Sequence, residues 1–483
     1  MVLGDVRRSP ARDIPYRIVR RNARRLRDLP ESVITALLFR YSLVHSPERA
    51  NRRMPDDHPS PSDHSTAKST GSKISPSDSA SGRQQSGVRF SIKNTGLTSV
   101  QIWEYDAATN RSSRDVVADT LRALSAPDDF PPIEAAIVAG DHVALAVDPN
   151  VPDVDAVIEG ALRMLRSTPA ERIEVVVWDE ATEQTLQRIR AAAGEHTVVS
   201  HQCDVRESLC YLAADVDAEP IYLNRALVDA DFVLPIVAVR PNNVSQRRDL
   251  TGVFPALSDS ATRTRFADKV SSGVASSPAM KSGNTIAEEV PWLLGVQLIL
   301  SVTANSDGAA GEIHAGTIDA IAKRITPTLR RPDPVPPPAE LVVAALDGDA
   351  QQQTWENVAR AADAALAYAL PDATIVIWSS LDQPPEGALL SIDSDSDDEG
   401  HEASAEFGDA SETLPPRDRF SDLARTLKRV SEKHRLMLHS NLPREVIEPL
   451  GIGVIESPHE LANLSRHFQS CGVLRAASYA GGN

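Results

Sequence analysis

Cysteine is almost missing from this chain, with three in 483 residues (Cys203, Cys210 and Cys471). Their number and irregular spacing exclude a disulfide framework and a CxxC metal site, so a reducing cytoplasm is the expected setting. Aromatic residues are scarce at 4%, while apolar residues reach 41%. That balance suits a soluble α/β protein better than a β-sandwich. No apolar run approaches the roughly 18 residues needed to cross a bilayer, so no membrane span is expected. Positive charge is outnumbered, 50 Lys and Arg against 67 Asp and Glu, for a formal charge of −17. Nucleic-acid binding needs a net basic face, and this balance argues against such a partner.

What is present is unevenly spread. Residues 17–44, "RIVRRNARRLRDLPESVITALLFRYSLV", are rich in arginine with an apolar second half. They read as a basic amphipathic helix for a membrane surface, as a transit peptide, or as an extension upstream of the true start, with Met54 or a nearby position opening the working protein. Residues 56–87 are dominated by serine, with Pro, Asp, Gly and Lys. Such a stretch cannot bury enough apolar surface to offset its ordering entropy. The whole of 1–87 is therefore expected to be a basic, then disordered, extension.

From residue 88 the pattern becomes that of an ordered protein. "VRFSIKN" and "SVQIWEY" alternate as two strands, followed by the apolar strand "HVALAVD" and the helix "VDAVIEGALRMLRS". The strand "IEVVVWD", the helix "ATEQTLQRIRAAAGE" and the strand "HTVVSH" continue the alternation. Strand and helix taking turns predicts βαβ units and a mainly parallel, Rossmann-like sheet. A first α/β domain is expected over 88–326. Six prolines in "TPTLRRPDPVPPPAE" make a stiff linker at 327–339. A second α/β domain is expected over 340–480, from "ELVVAAL", "TWENVARAADAALAYAL", "ATIVIWSS", "FSDLARTLKRVSEKH" and "RLMLHS", with a cleft between the two domains. The acidic, low-complexity stretch 392–416 interrupts it as a solvated insertion or as an interaction element for a protein partner.

One join is unusual. The buried strand "DADFVLPIVAV" opens directly into the polar "RPNNVSQRRDLTGVFP", the kind of strand end where α/β proteins keep their ligands. Residues 198–255 around it resemble the N-terminal domain of the nickel-dependent lactate racemase (LarA) family. His201, Leu209, Leu212, Pro220, Asn224, Arg225, Asp231 and Pro241 stand where members carry scaffold residues. Asp148 and Pro152 fall in register with the family's strand ending in Asp-x-Thr-Arg-Pro, and "ALPDATIVIWSSLDQPPEGALLS" is similar to a second-domain segment. The resemblance covers most of 88–472.

That resemblance implies a mechanism whose parts can be checked. Members hold nickel in a pincer-shaped, nicotinate-derived cofactor tethered to a lysine, with a histidine as a further nickel ligand. Two other histidines exchange protons with the substrate hydroxyl while a hydride moves, a role that needs a group titrating near neutrality. Here the Pro-His pair after the strand is Pro241-Asn242, and the lysine falls at about Thr251. No lysine occurs between Arg240 and Asp268, and no histidine between His201 and His314 or between His142 and His196. The loop arginine aligns with Val151, and the Tyr-Gln-x-x-Lys motif reads Trp355, Glu356, Asn357, Val358, Ala359.

The expectation is therefore a degenerate, non-racemising homologue (a pseudoenzyme) with no resident cofactor or metal. Its cleft would bind a small carboxylate or phosphate, or it would act through a protein partner. The alternative is an active nickel-dependent racemase or epimerase of lactate or another 2-hydroxy acid. A third reading is a different reaction run by Asp148, Asp179 or Glu180. The candidate ligand-binding residues are Asp148, Asn242, Arg247, Arg248 and Thr251, the two arginines by bidentate pairing with an anion. Asp148 can instead cap the following helix, Arg247 and Arg248 can be solvated loop residues, and Asp179 and Glu180 can be helix-capping acids. His201 and Asp204 are expected to be a structural pair, and Cys203 and Cys210 buried apolar fillers.

Overall fold

The computed structural model describes residues 90–107, 112–215, 217–240, 250–271, 286–305, 307–325, 335–392 and 420–480. All belong to one unit of the chain, Ser86–Asn483. The extension 1–87, most of the proline-rich linker, the acidic insertion after Ile392, and Asn242, Arg247 and Arg248 lie outside the described residues.

Strands are numbered along the chain. β1 (Gln101–Asp106) comes first. The first lobe follows, with β2 (His142–Val147), β3 (Arg172–Val177), β4 (Thr197–Ser200), the antiparallel hairpin β5 (Leu209–Ala214) and β6 (Pro220–Asn224), then β7 (Phe232–Ala238), β8 (Ile299–Ala304) and β9 (Ala310–Gly316). Its six-stranded sheet has the order β4-β3-β2-β7-β8-β9, parallel except for β9. The second lobe contributes β10 (Ala339–Ala345), β11 (Ala369–Trp378), β12 (Arg435–His439), β13 (Gly453–Val454) and β14 (Ser470–Arg475). Its sheet has the order β1-β14-β10-β11-β12-β13 and is parallel throughout.

The apolar runs became strands because both sheet faces are covered. Val143 to Val147 are all buried in β2, as are Leu341 to Ala345 in β10. A strand with helices on each side has no solvent face, so its sequence need not alternate. Helix Val154–Leu165 buries Val154, Val157, Ile158, Ala161, Leu162 and Leu165, a spacing that lines one helical face. Gly160 lets helix Val116–Ser125 cross closely, since a Cβ there would sit 2.7 Å from Thr120 Cβ. Helix Trp355–Ala365 is buried along almost its whole length, and Thr354 caps it by accepting from Asn357 N–H. Among the described residues, no helix is long and apolar enough to cross a membrane.

Two expectations at the start of the ordered region are corrected. "SVQIWEY" does not open the first lobe: its strand β1 pairs with β14 at the edge of the second sheet, Gln101 opposite Ser470. In "VRFSIKN" the described residues, from Phe90 on, form no strand, because Ile92–Thr95 forms one helical turn ended by Gly96 at φ 66°, a left-handed residue that stops the turn.

Both sheets reverse direction once. In the first lobe the chain lays β3 and β4 outward from β2, then returns to place β7 on the other side of β2. In the second it lays β11, β12 and β13 outward from β10, then places β14 on the opposite side of β10. Ligands of such sheets gather beyond the carboxyl ends of the strands at the reversal.

Candidate functional site

Asp148 follows β2 and Arg240 follows β7, so together they stand at the reversal point of the first sheet. Asp148 is 2% exposed. Its Oδ1 accepts from Asn150 N–H at 2.9 Å and from Asn150 Nδ2 at 3.1 Å, and its Oδ2 accepts from Ala238 N–H at 3.3 Å. Arg240 Nη1 lies 3.1 Å from the same Oδ2. The carboxylate therefore shapes the loop after β2 and faces a cation. It does not cap the next helix, whose N-cap residue Asp153 instead accepts from Ala310 N–H at 2.8 Å.

Asp179 and Glu180 follow β3 and are not the capping acids that the sequence suggested. Thr182 caps helix Glu183–Ala193, accepting from Thr185 N–H. Asp179 instead takes a two-point pair from Arg263, Nη1 to Oδ2 at 2.7 Å and Nη2 to Oδ1 at 3.2 Å. Glu180 crosses to the second lobe, where Arg360 Nη2 donates to its Oε1 at 2.9 Å and to its Oε2 at 2.8 Å. Asn150 Nδ2 adds a bond to Oε2 at 3.1 Å. Burial alone would raise the Glu180 pKa, but the charges of Arg360 and Arg240 and the bonds from Arg360 and Asn150 outweigh it and hold the carboxyl below its ordinary 4.5.

That depression has a measurable sign. A carboxyl with a lowered folded pKa contributes stability above its unfolded value, and the contribution is lost as pH falls through the folded value. The Glu180–Arg360 link between the lobes is thus complete above about pH 4.5 and fades in more acid solution. Glu180→Gln is expected to lower stability near neutrality and to flatten the acid limb of the stability curve. Urea unfolding across the acid range reads both effects, and parallel curves for the two proteins would remove Glu180 from the account.

Around this ion pair further hydrogen bonds and ion pairs hold the two lobes together. Asn357 Nδ2 donates to Asn150 Oδ1 at 3.1 Å, and Arg360 Nη1 to Asn357 Oδ1 at 3.2 Å. Tyr479 Oη donates to the Asn150 carbonyl at 3.1 Å or to Gln352 Oε1 at 2.8 Å. Burial is the main force raising the Tyr479 pKa, so it stays a neutral donor. Arg188 bridges Asp155 of the first lobe at 2.7 Å and Asp349 of the second at 2.9 Å.

Thr251 is 3% exposed and its Oγ1 accepts from Val253 N–H at 3.3 Å. It shapes the turn at Gly252, whose φ of 61° and contact with Trp178 leave no room for a side chain: a Cβ would sit 2.7 Å from Trp178 Cζ2. His201 is structural but does not pair with Asp204. Its Nε2–H donates to the Ser258 carbonyl at 2.9 Å while Nδ1 accepts from Asn224 Nδ2 at 3.2 Å. Burial first, then the charge of Arg263, pushes its pKa down to about 4, so the ring is neutral at ordinary pH. Cys203 and Cys210 are only partly buried, and the fully buried thiol is Cys471.

The structure thus gathers Asp148 and Glu180 in one crevice and sends Asp179 to a neighbouring pair with Arg263. It adds Asn150, Arg240, Asn357, Arg360 and Tyr479, none of which the sequence singled out for this role. A strand-end arginine at Arg240 was the available local signal. The others come from distant segments, with Glu180 and Arg360 separated by 180 positions.

No family model matches the chain, and no curated protein matches its sequence. Among solved structures it is similar to the lactate racemase apoprotein from Thermoanaerobacterium thermosaccharolyticum, with 13% identity and a TM-score of 0.57 over 81% of this chain and 96% of that one. It is also similar to a structural-genomics protein from Thermotoga maritima, with 11% identity and a TM-score of 0.52 over 73% of this chain and 93% of that one. Two mainly parallel sheets, a reversal of strand order in each and this likeness lead to one conclusion: the chain has the α/β fold of the lactate racemase apoprotein.

Proposed function

We propose that the chain is a non-racemising protein of this fold whose interlobe crevice binds a small carboxylate or phosphate. The observation that carries the reading is Glu180, a carboxylate beyond β3 that two arginines hold ionised. The family reaction asks for imidazole in this region, because the group must both give and take a proton near neutrality. Burial usually lifts a carboxyl toward neutral pH, and here the guanidiniums drive it the other way. The donors present do not suit a nickel pincer either. The crevice holds arginine-bound carboxylates, amides and a phenol, and the stretch from Arg240 to Asp268 offers no lysine for a tether. Among the described residues, no group of three or more His, Cys, Asp or Glu side chains is arranged to hold a metal.

What remains is a polar, cation-containing crevice between two lobes. Its chemistry favours holding an anion over transforming one. The full chain, purified from cells that make the nickel cofactor, is expected to carry no stoichiometric nickel and to leave D- and L-lactate unconverted. It is expected to gain thermal stability with small carboxylates or phosphate, as any ligand of the folded state confers. Racemisation with bound nickel would overturn the proposal in favour of an active 2-hydroxy-acid racemase.

A further inference from the structure

Among the described residues, two buried donors at the first-lobe reversal point make no hydrogen bond. Arg240 Nη1 is buried and, although 3.1 Å from Asp148 Oδ2, makes no hydrogen bond. Trp178 is 8% exposed, and its indole Nε1 is buried without a partner. The Arg240 guanidinium carbon lies 5.9 Å from the Trp178 ring centroid, so the two side chains are neighbours. A buried donor without a partner loses its hydration with nothing in exchange, so such a site favours a ligand that accepts.

Among the described residues, the side-chain acceptors nearby already take hydrogen bonds. Asp148 and Glu180 use both of their oxygens, Asn150 Oδ1 accepts from Asn357, and Asn357 Oδ1 accepts from Arg360. The Trp178 indole N–H is left without an acceptor, beside a guanidinium that faces Asp148 without a well-formed hydrogen bond. The matching ligand is one that only accepts.

We infer that Arg240 and Trp178 form an oxyanion site, in which the guanidinium and the indole N–H donate to a carboxylate or phosphate oxygen at the first-lobe reversal point. The site deepens the anion-binding reading and rests on it, but it adds a position and a contact set. The second lobe offers an internal comparison. Asp347 after β10 and Arg475 at the end of β14 occupy the equivalent place, with Arg475 Nε donating to Asp347 Oδ2 at 2.6 Å. There Asp347 also accepts from the backbone of Phe90 and Ala476, and Arg475 reaches Glu104. There the arginine is hydrogen-bonded to its carboxylate, whereas Arg240 Nη1 makes no hydrogen bond among the described residues.

The test uses the full chain with ¹⁵N-labelled tryptophan. Of its five indole signals, the one lost in Trp178→Phe belongs to Trp178. Titration with sodium phosphate, acetate or lactate is expected to move that signal downfield and to saturate. The Trp355 indole already donates to the Gln383 carbonyl at 3.0 Å and is expected to stay still. Arg240→Met is expected to weaken binding about tenfold or more and Trp178→Phe about threefold, as for loss of a charge-assisted and a neutral hydrogen bond. Arg240→Lys, which keeps the charge facing Asp148, is the folded control and is expected to fall between them. Comparing phosphate with acetate shows which oxyanion the site prefers. If calorimetry detects an anion while the Trp178 signal is unmoved and both variants bind normally, the site is wrong and the broader reading survives. If no anion binds at all, both fall.

Discussion

Replacing Arg475 with methionine is expected to cost the folded chain about 3–5 kcal/mol, the range for breaking a buried ion pair from one side. The Arg475 side chain is 5% exposed and that of Asp347 is fully buried. Removing the guanidinium leaves the carboxylate in an apolar setting, with the Phe90 and Ala476 N–H groups as its remaining support. The same carboxylate ties Phe90, at the start of the described residues, to a loop 257 positions away. Urea unfolding reads the loss as a lower midpoint. The cause is isolated by a second change: adding Asp347→Asn to the methionine variant removes the stranded charge and is expected to recover part of the stability. A double variant no better than the single one would mean that lost packing, not charge, sets the effect.

Gly308→Ala is expected to be nearly as damaging, for a steric reason. Gly308 lies in the β8–β9 turn at φ 75°, and a Cβ there would fall 2.4 Å from Gly348 Cα and 2.8 Å from Asp347 O and Gly348 N. Every one of these neighbours is backbone of the second lobe, so no rotamer change relieves the clash. The left-handed conformation of a non-glycine residue costs of order 1 kcal/mol or more. Overpacking adds roughly 1–3 kcal/mol. Either stability falls by about 3 kcal/mol or the lobes separate enough to admit the methyl group. Thermal unfolding reads the first outcome and small-angle scattering the second. An alanine variant matching the parent in both would show that the two backbones do not meet.

The fold was legible wherever burial on both faces wrote itself as an apolar run. "HVALAVD", "IEVVVWD", "FVLPIVAV" and "ELVVAAL" became β2, β3, β7 and β10, as strands buried on both faces do. What a local pattern cannot carry is the identity of a strand's neighbour. β1 alternates as a strand should, yet its partner β14 lies more than three hundred positions away. The site divides in the same manner. Asp148 and Glu180 were visible as carboxylates at strand ends, where a ligand or a helix cap was the natural reading. Their actual partners, Arg240 and Arg360, come from another strand end and from a helix of the other lobe. Nothing in the neighbourhood of Arg360 announces a carboxylate across the crevice, because the pairing is a property of lobe packing.

The placement of β1 also bears on the order in which the chain can reach its native state. The first lobe is drawn from one contiguous stretch, so all of its strands are available early in synthesis. The second is not: β14, the last strand, lies between β1 and β10. Until it is made, β1 has no neighbour in its sheet and one flank of β10 stands open. Unpaired parallel edges of this kind close slowly and attract other chains. The vulnerable interval in the life of this protein is therefore the time between translation of β10 and arrival of β14, and shortening the chain before Ser470 is expected to trap it there.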